Sequence, residues 1–210
     1  MKLNGKQILI DREIAFNLIE CRKENPLYGE MEVLYEELRE ELECLIELEG
    51  ILGYARSPDI FGNGQSLDQE EYAVVLYTLG NKVSEYISDL FEAGEYLKGT
   101  LADAMADSCL FTMEEEWKEI LLTEFRKQKR GVKMRLEAGK DFPMEAQKRI
   151  WELLNGQQYG IGITSGYMFT PVKTCSYVFK LSEDCTQNRM EHECDGCKKM
   201  DCKIRKETKK

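Results

Sequence analysis

The run YAVVLYTL, residues 72–79, does most to narrow what this chain can fold into. It is apolar almost throughout and rich in aromatic and β-branched side chains, so it reads as a buried strand. Gly80-Asn81 then opens a helix with Val83, Ile87, Leu90 and Phe91 on its inner side, and Ala93-Gly94 marks a boundary. A second helix runs through Leu97, Leu101 and Ala104. A third starts near Met113 and carries Trp117, Ile120, Leu121 and Phe125 along one side. Lys127, Lys129 and Arg130 at its end suit the negative pole of a helix dipole.

Before that run, residues 6–10 predict a short strand, with Ile8, Leu9 and Ile10 apolar. Asp11 is placed to cap a helix extending through Cys21, with Ile14 and Leu18 on one face. Asn25-Pro26 breaks it. Residues 31–49 carry the stripe Leu34, Leu38, Leu42, Leu45 and Ile46 among many glutamates, the pattern of a core-packing helix with a solvated outer face. Gly50 ends that helix, residues 51–56 read as a strand, and residues 57–64, SPDIFGNG, as an exposed turn-rich loop.

The second half is organised around residues 135–181. An extended segment runs into a turn at Ala138-Gly139, where a backbone without Cβ lets a ligand approach closely. Asp141, ahead of Phe142-Pro143, starts a short helix with Ile150, Leu153 and Leu154 on one face, and Gly156 stops it. Ile161 and Ile163 alternate with small residues as in a half-buried strand, and Tyr177 to Phe179 form another β-prone run.

Composition sets the limits. A chain of 210 residues with 42% hydrophobic side chains can bury one large core, alone or with a small appendage. A net charge of -10 excludes a general phosphate-binding surface, and with it nucleic acid as a partner. No apolar run approaches the roughly 20 residues of a membrane span. The N-terminus lacks a secretory pattern, which makes the expected location cytoplasmic.

Eight cysteines in that setting point to thiols or metal ligands rather than disulfides. Four of them, Cys185, Cys194, Cys197 and Cys202, are spaced C-x8-C-x2-C-x4-C in a polar, Lys-rich tail. Such a set suits zinc or an iron–sulfur cluster, and spacing does not choose between them. A tail too polar to fold unaided gains order from a metal; reduced, unliganded thiols are the competing reading. His192, the only histidine, is a substitute ligand or a solvated side chain. The tail lysines and arginines either dock an acidic partner or solubilise the end.

Several of these pieces resemble the activation domain of cobalamin-dependent methionine synthase, and the short stand-alone relatives of that domain that accompany corrinoid proteins. The family's R-x-x-P-G-Y turn, D-F-P and following helix are matched by Arg135, Gly139, Asp141, Phe142, Pro143 and the helix ending IWELL. Its T-E-S-x-x-M-x-P strand and turn are matched by Thr164, Ser165, Gly166, Met168 or Phe169, and Pro171. Thr78-Leu79-Gly80 and Asp103-Ala104 match two further landmarks. Ala138 and Lys140 replace the family's Pro and Tyr, and Ser165 its Glu. Phe111 lies where another family Glu is expected, with Glu114 nearby.

The resemblance implies an α+β fold, a curved and mostly antiparallel sheet with packed helices over residues 1–182, followed by the Cys-rich tail over 183–210. It implies a site for S-adenosylmethionine. Arg135 would take the methionine carboxylate, while Glu137, Ala138 and Gly139 supply backbone contacts. A surface salt bridge is the competing role for Arg135. The function implied is accessory: holding the methyl donor for reductive methylation of a separate corrinoid protein or cobalamin-dependent methyltransferase, with an electron donor as a further partner. That chemistry favours iron–sulfur over zinc in the tail. The alternative is a non-enzymatic binding or regulatory module with a structural metal and no S-adenosylmethionine site.

Overall fold

The computed structural model describes residues 1–3, 8–62, 70–192 and 202–203. In chain order these form β1 (Lys2–Leu3), α1 (Arg12–Leu18), α2 (Tyr28–Leu45), β2 (Glu49–Arg56), α3 (Ser57–Phe61), β3 (Glu71–Thr78), α4 (Asn81–Glu92), α5 (Tyr96–Lys127), β4 (Gly131–Leu136), α6 (Ala146–Leu153), β5 (Gly162–Ile163), β6 (Phe169–Thr170) and β7 (Thr174–Ser182). One antiparallel sheet runs in the order β1-β2-β3-β7-β4, and β5 with β6 makes a separate hairpin. The architecture is α+β, as the sequence implied.

Strand β3 lies at the centre, and its alternation explains the two-sided cover. Ala73, Val75 and Tyr77 point into the larger core with α1, α2, α4 and α5. Tyr72, Val74 and Leu76 point the other way, against Ile60 of α3, Ile150 of α6 and Phe169 of β6. With both faces buried, the strand reads as one continuous apolar run. In α2 the buried stripe is Met31, Tyr35, Leu38 and Leu42, with Leu34 and Leu45 half-buried beside it.

The local chemistry of several elements differs from expectation. Of the strand expected at 6–10, residues 6 and 7 lie outside the described residues and residues 8–10 are not a strand. Their carbonyls are taken by side chains instead of a ladder: Thr112 donates to Leu9 O (2.5 Å) and Tyr35 to Ile10 O (2.7 Å). Asp11 does cap α1, accepting from Ile14 N at 2.8 Å, but the helix ends at Leu18 and buries Ala15 and Phe16. The 57–64 loop begins as α3, with Pro58 in its first turn and Ile60 fully buried; Asn63 and Gly64 lie outside the described residues. The second and third helices are one, α5, which stays buried through its middle on residues from several sides, such as Leu101, Ala102 and Ala104. Phe91 and Leu97 are exposed rather than inward.

Helix α6 starts at Ala146, not Asp141, because the Asp141 carboxylate accepts from Glu137 N (2.9 Å) and closes the preceding corner. It buries Ile150 and leaves Leu153 exposed. Asn155, at φ 52°, reverses the chain just before Gly156.

Gly50 does not stop α2; it sits inside β2 under Trp117. A Cβ there would lie 2.5 Å from the Trp117 ring, which is itself wedged edge-on against Tyr77 at 5.0 Å. Gly50→Ala is therefore expected to lower the free energy of urea unfolding by about 1–3 kcal/mol. Gly29→Ala on α2, where nothing lies within 4 Å, is expected to be neutral or stabilising by up to about 1 kcal/mol.

Candidate functional site

Edge strand β4 presents Arg135 opposite Phe179 of β7. The guanidinium carbon lies 3.8 Å above the centroid of the Tyr177 ring, a close cation–π contact. Glu114 reaches over from α5 to pair with one guanidinium nitrogen, and Glu137 pairs with the other at 2.7 Å. The Arg135 side chain is only 7% exposed, and its buried Nε makes no hydrogen bond among the described residues. Two carboxylates share this one cation, so the locus is net negative. His192 Nδ1 lies 2.9 and 3.0 Å from the Glu137 oxygens. The lone histidine is thus half-buried and bonded, not solvated.

Beneath Tyr177 the polar groups are satisfied in a chain. Tyr77 donates to Leu110 O at 3.0 Å, which leaves Tyr177 to donate to Tyr77 at 2.9 Å. Burial pushes both phenols well up, so they stay neutral. Cys175, paired in register with Tyr77, has its thiol pushed up to about 11 by burial.

The Gly139 corner is self-contained. Gly139 N donates to Phe142 O at 2.8 Å, and Glu137 O accepts from Lys140 N and Asp141 N at 3.3 and 2.9 Å. Its φ of 77° favours glycine, while a Cβ would meet only Met144, the sulfur at 3.3 Å.

Arg135, Glu137, Ala138 and Gly139 all line one open hollow of about 1460 Å³. That exceeds the few hundred to ~1,000 Å³ of a typical small-molecule site. Phe111, Thr112 and residues 114–116 of α5 and the start of β7 form further walls, with Phe169 and the exposed Met168 and Val172 at the hairpin side. Thr164, Ser165, Gly166 and Pro171 are not among its lining residues. Thr164 to Met168 instead close the β5–β6 turn on themselves.

A second buried cation fixes the rim. Lys173 Nζ lies 2.8 Å from Asp103 and 2.7 Å from Asp107, tying the β6–β7 connection to α5. Sequence reasoning noticed Asp103 but missed Lys173 and Asp107. Four-residue spacing of the two aspartates on one helix face was the available signal.

The tail cysteines divide. Cys185 is exposed in the turn after β7, Cys202 is half-buried on the cavity wall, and Cys194 and Cys197 lie outside the described residues. Among the described residues no three His, Cys, Asp or Glu side chains gather to hold a metal, and no helix is long and apolar enough to cross a membrane.

No family model matches the chain, and no curated protein matches it. Among solved structures it is similar to one described as the MetH reactivation domain bound to AdoHcy. The TM-score is 0.51 at 12% identity, over 82% of this chain and 72% of that one. At that identity the likeness establishes the fold.

The thiol environments predict an order of reactivity. At pH 8 a thiol raised from 9 to about 11 holds about 100-fold less thiolate than an ordinary one. Iodoacetamide followed by mass spectrometry is expected to label the exposed Cys44 first. Cys175, and Cys109 pushed up to about 12, are expected to remain unlabelled until the chain is denatured.

Proposed function

We propose that the cavity binds S-adenosylmethionine and that the chain is an accessory factor for reductive methylation of a corrinoid carried by a separate protein. One observation carries this reading: a nearly buried guanidinium, paired with Glu114 and Glu137, on the wall of an open hollow beside the Gly139 corner. The methionine end of the ligand is a zwitterion. Arg135 would meet its carboxylate and the two glutamates its ammonium. Phe111, Phe169 and Met168 offer apolar surface for the adenine. The backbone of Glu137, Ala138 and Gly139 borders the same space. That the structurally similar MetH domain was crystallised with AdoHcy supports a ligand of this class.

In such a reaction the protein's task is positional. It holds the methyl donor over the reduced corrinoid, and the donor leaves as the thioether after methyl transfer. The volume beyond one ligand's needs leaves room for the partner's cofactor to approach.

The double pairing of Arg135 favours a second reading, in which Glu114 and Glu137 already saturate the cation and the module binds a partner without the nucleotide. Calorimetry with S-adenosylmethionine separates the two. A dissociation constant below about 1 mM is expected, weakened about tenfold or more by Arg135→Lys, which keeps the charge but loses the fork. Binding weaker than that, indifferent to the substitution, leaves the second reading standing.

The tail cysteines Cys185, Cys194, Cys197 and Cys202 are proposed to hold iron–sulfur or zinc. Four thiolates are the donor set such metals take. Anaerobic purification with metal analysis is expected to give stoichiometric iron or zinc, lost in a Cys194→Ser, Cys197→Ser double variant. A metal-free, fully folded chain excludes this assignment.

A further inference from the structure

Among the described residues the walls of the cavity carry eight carboxylates and three cations, Arg135, Lys140 and Lys203, while Lys118, outside the lining, pairs with Glu115 and Glu191. Two of those cations are engaged, Arg135 with Glu114 and Glu137, Lys203 with Glu20. Three consecutive acids of α5, residues 114–116, form one wall, and Glu137 and Asp141 stand at the corner across from them. Acidic residues alone would show only a solvated face. Here the nearly buried Arg135 lines the same space, and its Nε, itself fully buried, lacks a hydrogen-bond partner among the described residues. Among the described residues the hollow therefore has both a polar anchor and a surplus of carboxylates.

We propose that this site is selective for ligand charge: it takes the cationic sulfonium form of the adenosyl ligand and disfavours the neutral thioether left after methyl transfer. The proposal rests on the functional reading above. S-adenosylmethionine carries a sulfonium, an ammonium and a carboxylate, net +1. S-adenosylhomocysteine has lost the sulfonium charge and is neutral overall. When the methyl group leaves as a cation equivalent, the electron pair of the broken S–CH3 bond stays on sulfur. The ligand thereby loses the charge the acidic wall attracts. The spent ligand is released by the step that spends it, and a fresh sulfonium outcompetes it for the same space. Anionic nucleotides are excluded by the same field.

Paired calorimetric titrations of the full chain test this, with S-adenosylmethionine and S-adenosylhomocysteine, in about 20 mM and about 500 mM salt. The sulfonium is expected to bind about tenfold tighter at low salt, a preference of about 1.4 kcal/mol. The preference shrinks at high salt, where exposed charges are screened within a few ångströms. It also shrinks in Glu116→Gln, an exposed α5 position whose replacement spares the Arg135 pairings. Equal affinities at low salt, or tighter binding of the thioether, overturn the proposal while leaving the adenosyl site intact. If neither ligand binds, the functional reading itself fails. Charge selection is then judged by NMR shifts of cavity residues with trimethylsulfonium chloride against neutral dimethyl sulfone. Shifts with the cation alone support it; shifts with neither or both overturn it.

Discussion

A strand that is apolar on both faces cannot be satisfied by a single covering layer. β3 is such a strand, and most of the architecture follows from hiding it. Its neighbours β2 and β7 pair with it along nearly its whole length. Helices α1, α2, α4 and α5 close one side, while α3, α6 and the β5–β6 hairpin close the other. The sheet's outer strands are then free for other purposes, and β4 carries the guanidinium that organises the cavity.

That guanidinium shows how a charge is kept at a nearly dry position. Arg135 has an aromatic face below it and a carboxylate from each of two elements beside it. Removing either carboxylate would leave the cation partly unpaired, and removing the cation would leave two acids close together. Lys173 repeats the arrangement at the rim with Asp103 and Asp107. Burial raises the Asp107 carboxyl despite the lysine beside it. That group's contribution to folding therefore grows more favourable as pH falls through its raised value, opposite to an exposed salt-bridged aspartate.

Patterns that depend on one element were legible in the sequence. β2, β3, β7, α2 and α4 announced themselves by periodicity, and Asp11 by cap chemistry. What failed was whatever depended on a distant partner. Residues 8–10 look like a strand until Thr112 and Tyr35 are seen to take their carbonyls. α5 looked like two helices because it is buried on several sides and shows no single stripe. At the site, Arg135 and Gly139 could be picked out through a motif. Glu114 was noticed only as a neighbour, and His192, 55 residues from Glu137, gave no local signal. The corner's closure by Asp141 was mistaken for a helix start because an aspartate before proline does both jobs.

The anchoring groups of α5 recur at helical intervals: Asp103 and Asp107 on Lys173, Leu110 on Tyr77, Glu114 on Arg135, Trp117 under β2. All are spaced three or four residues apart along one rod, and together they meet four different strands or loops. Because every residue advances the helix by about 100°, one inserted or deleted position within residues 103–117 would swing all later anchors round to the wrong side together. Length variation in proteins built this way is thus confined to loops. Within the rod, change is limited to exchanging one side chain for another.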